Sequence, residues 1–166
     1  MNRIRDVLAY LKEHKLVLTT AESCTAGRII HLLSKISGSG TCLDVGYVVY
    51  SEAAKKRLLG VKQKTIAYCG LTSEEVAREM VWGALRQSAA NVVVATTGVA
   101  GPGAMDGIPQ GTICFAWGFR MDKTPVIYSQ TRHFPGNRSG VQTRGAEYAL
   151  VHIPPFHQRC LHERSA

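Results

Sequence analysis

At 166 residues, with 45% hydrophobic and 19% charged side chains, the chain has the composition of an ordinary soluble globular protein, long enough to bury the core of one domain. No apolar run approaches the roughly 20 residues that span a bilayer, which excludes a membrane-crossing helix. The net charge of +8 does not mark a nucleic-acid partner: the basic residues are scattered, the densest run being Lys55-Lys56-Arg57, and aromatics do not interleave with them. Such a surface suits an anionic small molecule equally well.

The opening segment, residues 2–14, carries Ile4, Val7, Leu8 and Leu11 at helical spacing and lacks the apolar core of a signal peptide. Residues 16–21 read as a short buried strand and 24–35 as a helix, with Gly38-Ser39-Gly40 breaking the chain. Residues 42–50, rich in β-branched and aromatic side chains, form the next strand. Ser51 caps a short helix through Leu59 that closes at Gly60. Thr72 and Glu75, three apart, form a capping box that opens a long helix through Val76, Met80, Ala84 and Leu85. The apolar run 91–97 is a central strand, and a glycine-rich loop follows from Gly98 to Gly111. Residues 112–119 and 125–134 form two strands joined by a polar turn, and a final helix runs from about Asn137 towards Val151.

Strands separated by helices predict an α/β fold, a three-layer α/β/α sandwich with a mixed, mostly parallel sheet. Residues 1–152 form the domain. In residues 153–166, Pro154 and Pro155 are read as helix breakers and the segment as a frayed, divergent tail. Its His and Cys residues have no matching ligand cluster upstream, so no metal is assigned. Five cysteines, an odd count without a CxxC pair, read as reduced thiols of a cytoplasmic protein.

Three segments carry chemistry. In Thr19-Thr20-Ala21-Glu22-Ser23-Cys24-Thr25-Ala26-Gly27-Arg28, Ser23 falls between a strand and a helical pattern, over free N–H groups at a helix start. There it can hold a phosphate, act as a nucleophile beside an oxyanion site, or simply cap the helix. In Tyr50-Ser51-Glu52-Ala53-Ala54-Lys55, a lysine near a strand end can enter the same cleft as Ser23. Partly desolvated, it loses its proton more easily and can act as a general base, with Tyr50 handing on a proton or orienting it. The alternative is a solvated helix-face lysine beside a core tyrosine. In Thr96-Thr97-Gly98-Val99-Ala100-Gly101-Pro102-Gly103, three glycines at the carboxyl edge of a central strand permit close backbone approach to a phosphate or ribose. The spacing is neither a Walker loop nor a dinucleotide fingerprint.

Together these segments, with Pro109, Gly111-Thr112 and Gly136-Asn137-Arg138 in order behind them, resemble the C-terminal domain of the competence/damage-inducible protein CinA, a family that also includes stand-alone nicotinamide-nucleotide amidases. The resemblance spans about residues 16–150. It implies hydrolysis of nicotinamide mononucleotide to nicotinate mononucleotide and ammonia, in pyridine nucleotide salvage, without metal or organic cofactor. It assigns Ser23 as nucleophile, Lys55 as its base and Tyr50 as an assistant. Backbone N–H groups around Ser23 and Cys24 would stabilise the oxyanion. Cys24, Thr25, Thr97, Gly98, Gly101, Gly103 and Arg138 are the candidates for binding the small-molecule nucleotide, Arg138 because its planar fork takes two phosphate oxygens. The family's N-terminal partner domain is expected to be absent here, and a homo-oligomer is a candidate assembly.

Two departures bear on the site. Ala26 stands where the family has a glycine, and its methyl group is expected to narrow the cleft. Ala53 stands where the family has a carboxylate, which is expected to alter the tuning of Lys55. Segment 104–108 also departs from the pattern. The second functional reading is therefore a non-catalytic nucleotide-binding module of the same fold. DNA binding, the third, would announce itself by a steep salt dependence.

Overall fold

The computed structural model describes residues 2–166. Five strands form a single sheet in the order β2-β1-β3-β4-β5, with β1 at Leu18–Glu22, β2 at Leu43–Val48, β3 at Val92–Gly98, β4 at Thr112–Phe119 and β5 at Val126–His133. The sheet is mixed, with four of its five strands pointing the same way and β4 reversed. β1 runs parallel to both β2 and β3, while β4 and β5 are antiparallel additions. Their turn at 120–125 is too short for the crossover that a parallel partner needs.

Alternation along β3 divides the core in two. Val92 and Val94 face one layer with α1 (Asn2–Glu13), α2 (Arg28–Ser34), α6 (Arg138–Val151) and α7 (Ile153–Ser165). Val93 and Ala95 face the other, which holds α3 (Glu52–Leu59), α4 (Gln63–Cys69) and α5 (Glu74–Gln87). The result is the expected α/β/α sandwich. Gly83 on α5 allows α3 to lie against it: a Cβ there would sit 1.9 Å from the Leu59 carbonyl oxygen.

Three local expectations are corrected. Residues 153–165 form a helix, not a frayed tail; the prolines occupy its first turn, where their missing N–H groups would be unpaired in any case. Ile153, Phe156, His157 and Cys160 of α7 are buried, with the Phe156 ring 4.7 Å from that of Trp117 on β4. The cap of α5 is Ser73, whose hydroxyl accepts the Val76 N–H at 3.3 Å, one residue beyond Thr72. Helix α4, which the sequence pattern leaves unassigned, buries only Ile66 and so lacks an apolar stripe.

The chain leaves β1 through α2 on one face and enters β3 from α5 on the other. The loops after β1, β2 and β3 all leave the same carboxyl edge of these parallel strands, where ligands of open α/β sheets bind. All three chemistry-bearing segments follow strand carboxyl ends: Ser23 after β1, Tyr50 to Lys55 after β2 and the glycine loop after β3.

Candidate active site

The cleft, of about 180 Å³, is lined by Ser23, Cys24, Tyr50, Lys55, Thr97, the loop from Gly98 to Met105, and Arg138, with Leu71 and Thr72 closing one side. Lys55 enters from the first turns of α3, whose start is set by Ser51: its hydroxyl accepts the Ala54 N–H at 3.0 Å. The lysine is only 3% exposed. Its Nζ lies 2.9 Å from Ser23 Oγ, 3.0 Å from the Val49 carbonyl and 3.3 Å from the Tyr50 carbonyl. Burial lowers its pKa below that of an ordinary lysine, and only partial opposition comes from Cys24 and Glu52. Glu52, which also pairs with Lys56 at 3.3 Å, supplies a carboxylate beside the exposed Ala53.

The three partners of Nζ match the three protons of an ammonium. When one proton leaves, the two carbonyls can only accept and so retain the remaining N–H groups. The lone pair then faces the hydroxyl of Ser23, the one neighbour able to donate. This is the geometry of a general base aimed at a nucleophile. Cys24, adjacent and 5% exposed, is unsuited to that role. Burial foremost, then the neighbouring Cys114 and Glu22, push its thiol up to about 12 against the pull of its own backbone hydrogen bond and of Lys55.

Ser23 does not sit at a helix start. Residues 23–27 form tight turns, with Ala26 N–H bonded to the Ser23 carbonyl at 3.0 Å and Arg28 N–H to that of Thr25 at 3.0 Å. Ala26 (φ 51°) and Gly27 (φ 88°) are both left-handed, so α2 begins only at Arg28. The amides at the start of that helix are taken by Glu22, a residue whose role its local sequence pattern does not announce. This fully buried carboxylate accepts from Ile29 N–H at 2.9 Å, Ile30 N–H at 3.3 Å, Thr25 Oγ1 at 2.6 Å and Thr20 Oγ1 at 3.1 Å. A lone acid in an uncharged buried strand, directly before a helix, is the signal that could have found it.

The other candidates divide. Thr25 is fully buried, bonded to Glu22 and to Thr96 Oγ1 at 2.8 Å, and does not line the cleft. Thr97 lines it, with its hydroxyl on the Leu71 carbonyl at 2.9 Å. Gly98, Gly101 and Gly103 all face the cleft, and the Gly101–Pro102 peptide is cis. The phenol of Tyr50 does not reach Lys55; it accepts from Arg138, whose second nitrogen donates to the Gly101 carbonyl. Tyr50 meets the lysine through its main chain instead. Ala26 is exposed and outside the cleft lining, so its methyl group narrows nothing. Of the expected oxyanion donors, the Ser23 N–H is bonded to the Thr96 carbonyl at 3.0 Å, whereas the Cys24 N–H has no acceptor on another residue among those described. Gln142 on α6, also missed, holds the Cys24 carbonyl at 2.9 Å.

Residues 2–155 match the family described as CinA C-terminal domain. The chain belongs to the CinA C-terminal domain family. It is 40% identical over 142 residues to the nicotinamide-nucleotide amidohydrolase PncC of Pseudomonas putida, covering 85% of this chain and 86% of that one. A putative competence-damage inducible protein of Symbiobacterium thermophilum is 39% identical over 149 residues, 86% of this chain but 35% of that protein. The chain thus spans about a third of the longer relative. The crystal structure of the competence damage-inducible protein A (ComA) of Klebsiella pneumoniae superimposes with a TM-score of 0.85 at 33% identity, covering 92% of each chain. The CinA C-terminal domain described here therefore shares its α/β fold with solved relatives. Among its described residues no group of three or more His, Cys, Asp or Glu is placed to hold a metal ion, and no helix is long and apolar enough to cross a membrane.

Proposed function

We propose that this CinA C-terminal domain is an amidohydrolase that converts nicotinamide mononucleotide to nicotinate mononucleotide and ammonia by a Ser–Lys mechanism, in pyridine nucleotide salvage. The observation that carries the reading is the 2.9 Å contact between a buried Lys55 Nζ and Ser23 Oγ. A relative that is 40% identical and named a nicotinamide-nucleotide amidohydrolase supports it. Five free cysteines suit a reducing cytoplasm.

In this mechanism neutral Lys55 takes the Ser23 proton as Oγ attacks the carboxamide carbon. The carbonyl π pair moves onto oxygen, and the Cys24 N–H stabilises the oxyanion, a contribution of about 3–4 kcal/mol for one well-placed donor. Collapse of the tetrahedral intermediate breaks the C–N bond, and the Lys55 ammonium returns its proton to the departing amine. Water then attacks the acyl-Ser23 ester, again with Lys55 as base, and releases the carboxylate. Arg138 and the loop from Thr97 to Gly103 hold the phosphoribosyl group. Tyr50 keeps Arg138 in place through its phenol.

Ammonia and nicotinate mononucleotide release from nicotinamide mononucleotide tests the reading, with wild type beside Ser23→Ala and Lys55→Ala. Wild-type turnover that both variants lose supports it. A wild type that releases no ammonia, yet melts at a higher temperature with the nucleotide, is the binding module instead.

A further inference from the structure

Part of the cleft wall and its backing are built from three pieces of chain that no secondary-structure ladder ties together. They are the 101–103 loop after β3, the 134–136 turn after β5, and Arg138 at the start of α6. One side chain meets this assembly from behind. Gln110 Oε1 accepts the Gly103 N–H at 2.8 Å, its Nε2 donates to the Gly136 carbonyl at 2.9 Å, and its own carbonyl is bonded to His133 Nε2 at 2.8 Å. A carboxamide offers an acceptor at one corner and donors at the other, so it can close a gap between an N–H and a C=O that no carboxylate or ammonium could close.

The packing is as specific as the bonding. Gly101 adopts φ +102°, and a Cβ there would lie 2.5 Å from Gln110 Cδ. The carbonyl of that same Gly101 anchors the Arg138 guanidinium. Gln110 itself does not line the cleft, whereas Gly101, Gly103 and Arg138 do. The Ser23–Lys55 pair has no contact with it: those side chains rest on each other and on the Val49 and Tyr50 carbonyls.

We infer that Gln110 is a positioning residue that sets the anion-holding end of the cleft, fixing Gly101, Gly103 and Arg138 for the phosphate of a nucleotide without touching the substrate. The inference rests on the amidase reading for its substrate. Arg138 uses two of its N–H groups on Gly101 and Tyr50 and keeps others for a ligand. Phosphate recognition by a planar fork depends on two aligned bonds, so a small displacement of the Gly101 anchor costs affinity for the phosphate and leaves the reacting amide where it was.

Gln110→Met keeps the side-chain length and removes both amide bonds, and Gln110→Glu keeps the acceptor for Gly103 but turns a second oxygen towards the Gly136 carbonyl. With nicotinamide mononucleotide, Gln110→Met raises KM about tenfold with kcat within about twofold, the pattern of lost uniform binding, and Gln110→Glu raises KM further. Nicotinamide riboside, which lacks the phosphate, keeps its kcat/KM. An unchanged KM overturns the inference, and so does a fall in kcat at constant KM or an equal loss on the riboside. Calorimetry on a Ser23→Ala background measures the nucleotide Kd without turnover, where Gln110→Met weakens binding about tenfold, equivalent to about 1.4 kcal/mol. A wild type that binds the nucleotide but releases no ammonia defeats the amidase reading, and the same Kd comparison still decides the role of Gln110. A wild type that binds no nucleotide overturns both.

Discussion

Replacing Glu22 by Gln tests whether the buried carboxylate organises the turn that carries Ser23. In the native arrangement one oxygen takes Thr25 Oγ1 and Ile29 N–H, and the other takes Thr20 Oγ1 and Ile30 N–H. The glutamine oxygen can replace the first. Its NH2 group cannot replace the second: Thr20 can rotate its hydroxyl to accept, but the Ile30 N–H loses its partner. Hydrogen bonds to a charged group contribute about 1.5–3 kcal/mol and neutral ones about 0.5–1.5, so converting the pair on the surviving oxygen costs about 2 kcal/mol. Loss of an anion at a helix start adds about 0.3–1 kcal/mol, and the orphaned, part-buried Ile30 N–H adds about 1 kcal/mol. The expected destabilisation is about 3–4 kcal/mol, and at roughly 2–4 °C per kcal/mol for a domain of this size it lowers Tm by about 6–16 °C. Urea and thermal unfolding followed by circular dichroism measure it. A Glu22→Gln protein within about 0.5 kcal/mol of wild type would refute the claim that this carboxylate is the keystone of the turn, since an ordinary surface change does no more than that.

Three further outcomes are expected. The rate of amide hydrolysis rises with pH as Lys55 loses its proton, with a midpoint below the ordinary lysine value because burial lowers this pKa; the unfolded chain holds that proton up to 10.5, so between the lowered value and 10.5 it binds more protons than the native state and stability also rises with pH. A rate that stays flat throughout the alkaline range contradicts Lys55 as the base. Phe156→Ala removes a ring that stacks on Tyr128 at 5.0 Å and lies 4.7 Å from Trp117, and it should cost about 3–5 kcal/mol in thermal or urea unfolding; an unchanged Tm would restore the frayed tail.

The parts of the fold legible in the sequence are those where local chemistry and tertiary packing agree. Helix α3 begins at Ser51 and ends at Gly60 because its cap and its left-handed terminus (φ 69°) are both written in the local sequence. The apolar run at β3 is buried on both faces, as such a run requires. The failures lie where a distant partner decides. Nothing near Pro154 announces that Trp117 and Tyr128 wait to receive Phe156, so a helix start is mistaken for a helix end. Residues 24–27 carry the pattern of a helix, but Glu22 collects its amides from the far side of the turn and delays it to Arg28. The pairing of Ser23 with Lys55 is readable because both follow strand ends in an α/β order. The exchange of partners at Tyr50, its carbonyl to Lys55 and its phenol to Arg138, depends on side-chain directions that spacing does not specify.

In the proposed mechanism, the same turn determines what can stabilise negative charge. A nucleophile at the first residue of a helix would face the helix dipole directly, but here the positive end of α2 is already occupied by Glu22. The left-handed pair Ala26–Gly27 carries the chain away before the helix begins, and at Ala26 this conformation costs about 1–2 kcal/mol that a glycine would avoid. What the turn provides in exchange is one fixed amide. Peptide planarity sets the Cys24 N–H opposite the Ser23 carbonyl, which the Ala26 N–H holds in place, and Gln142 pins the next peptide through the Cys24 carbonyl. With the Ser23 N–H bonded to Thr96, the Cys24 N–H is the adjacent main-chain donor without an acceptor on another described residue. In the proposed mechanism, oxyanion stabilisation is therefore a property of a locked turn, and the place of Glu22 in it is to hold that turn while occupying the amides at the start of α2.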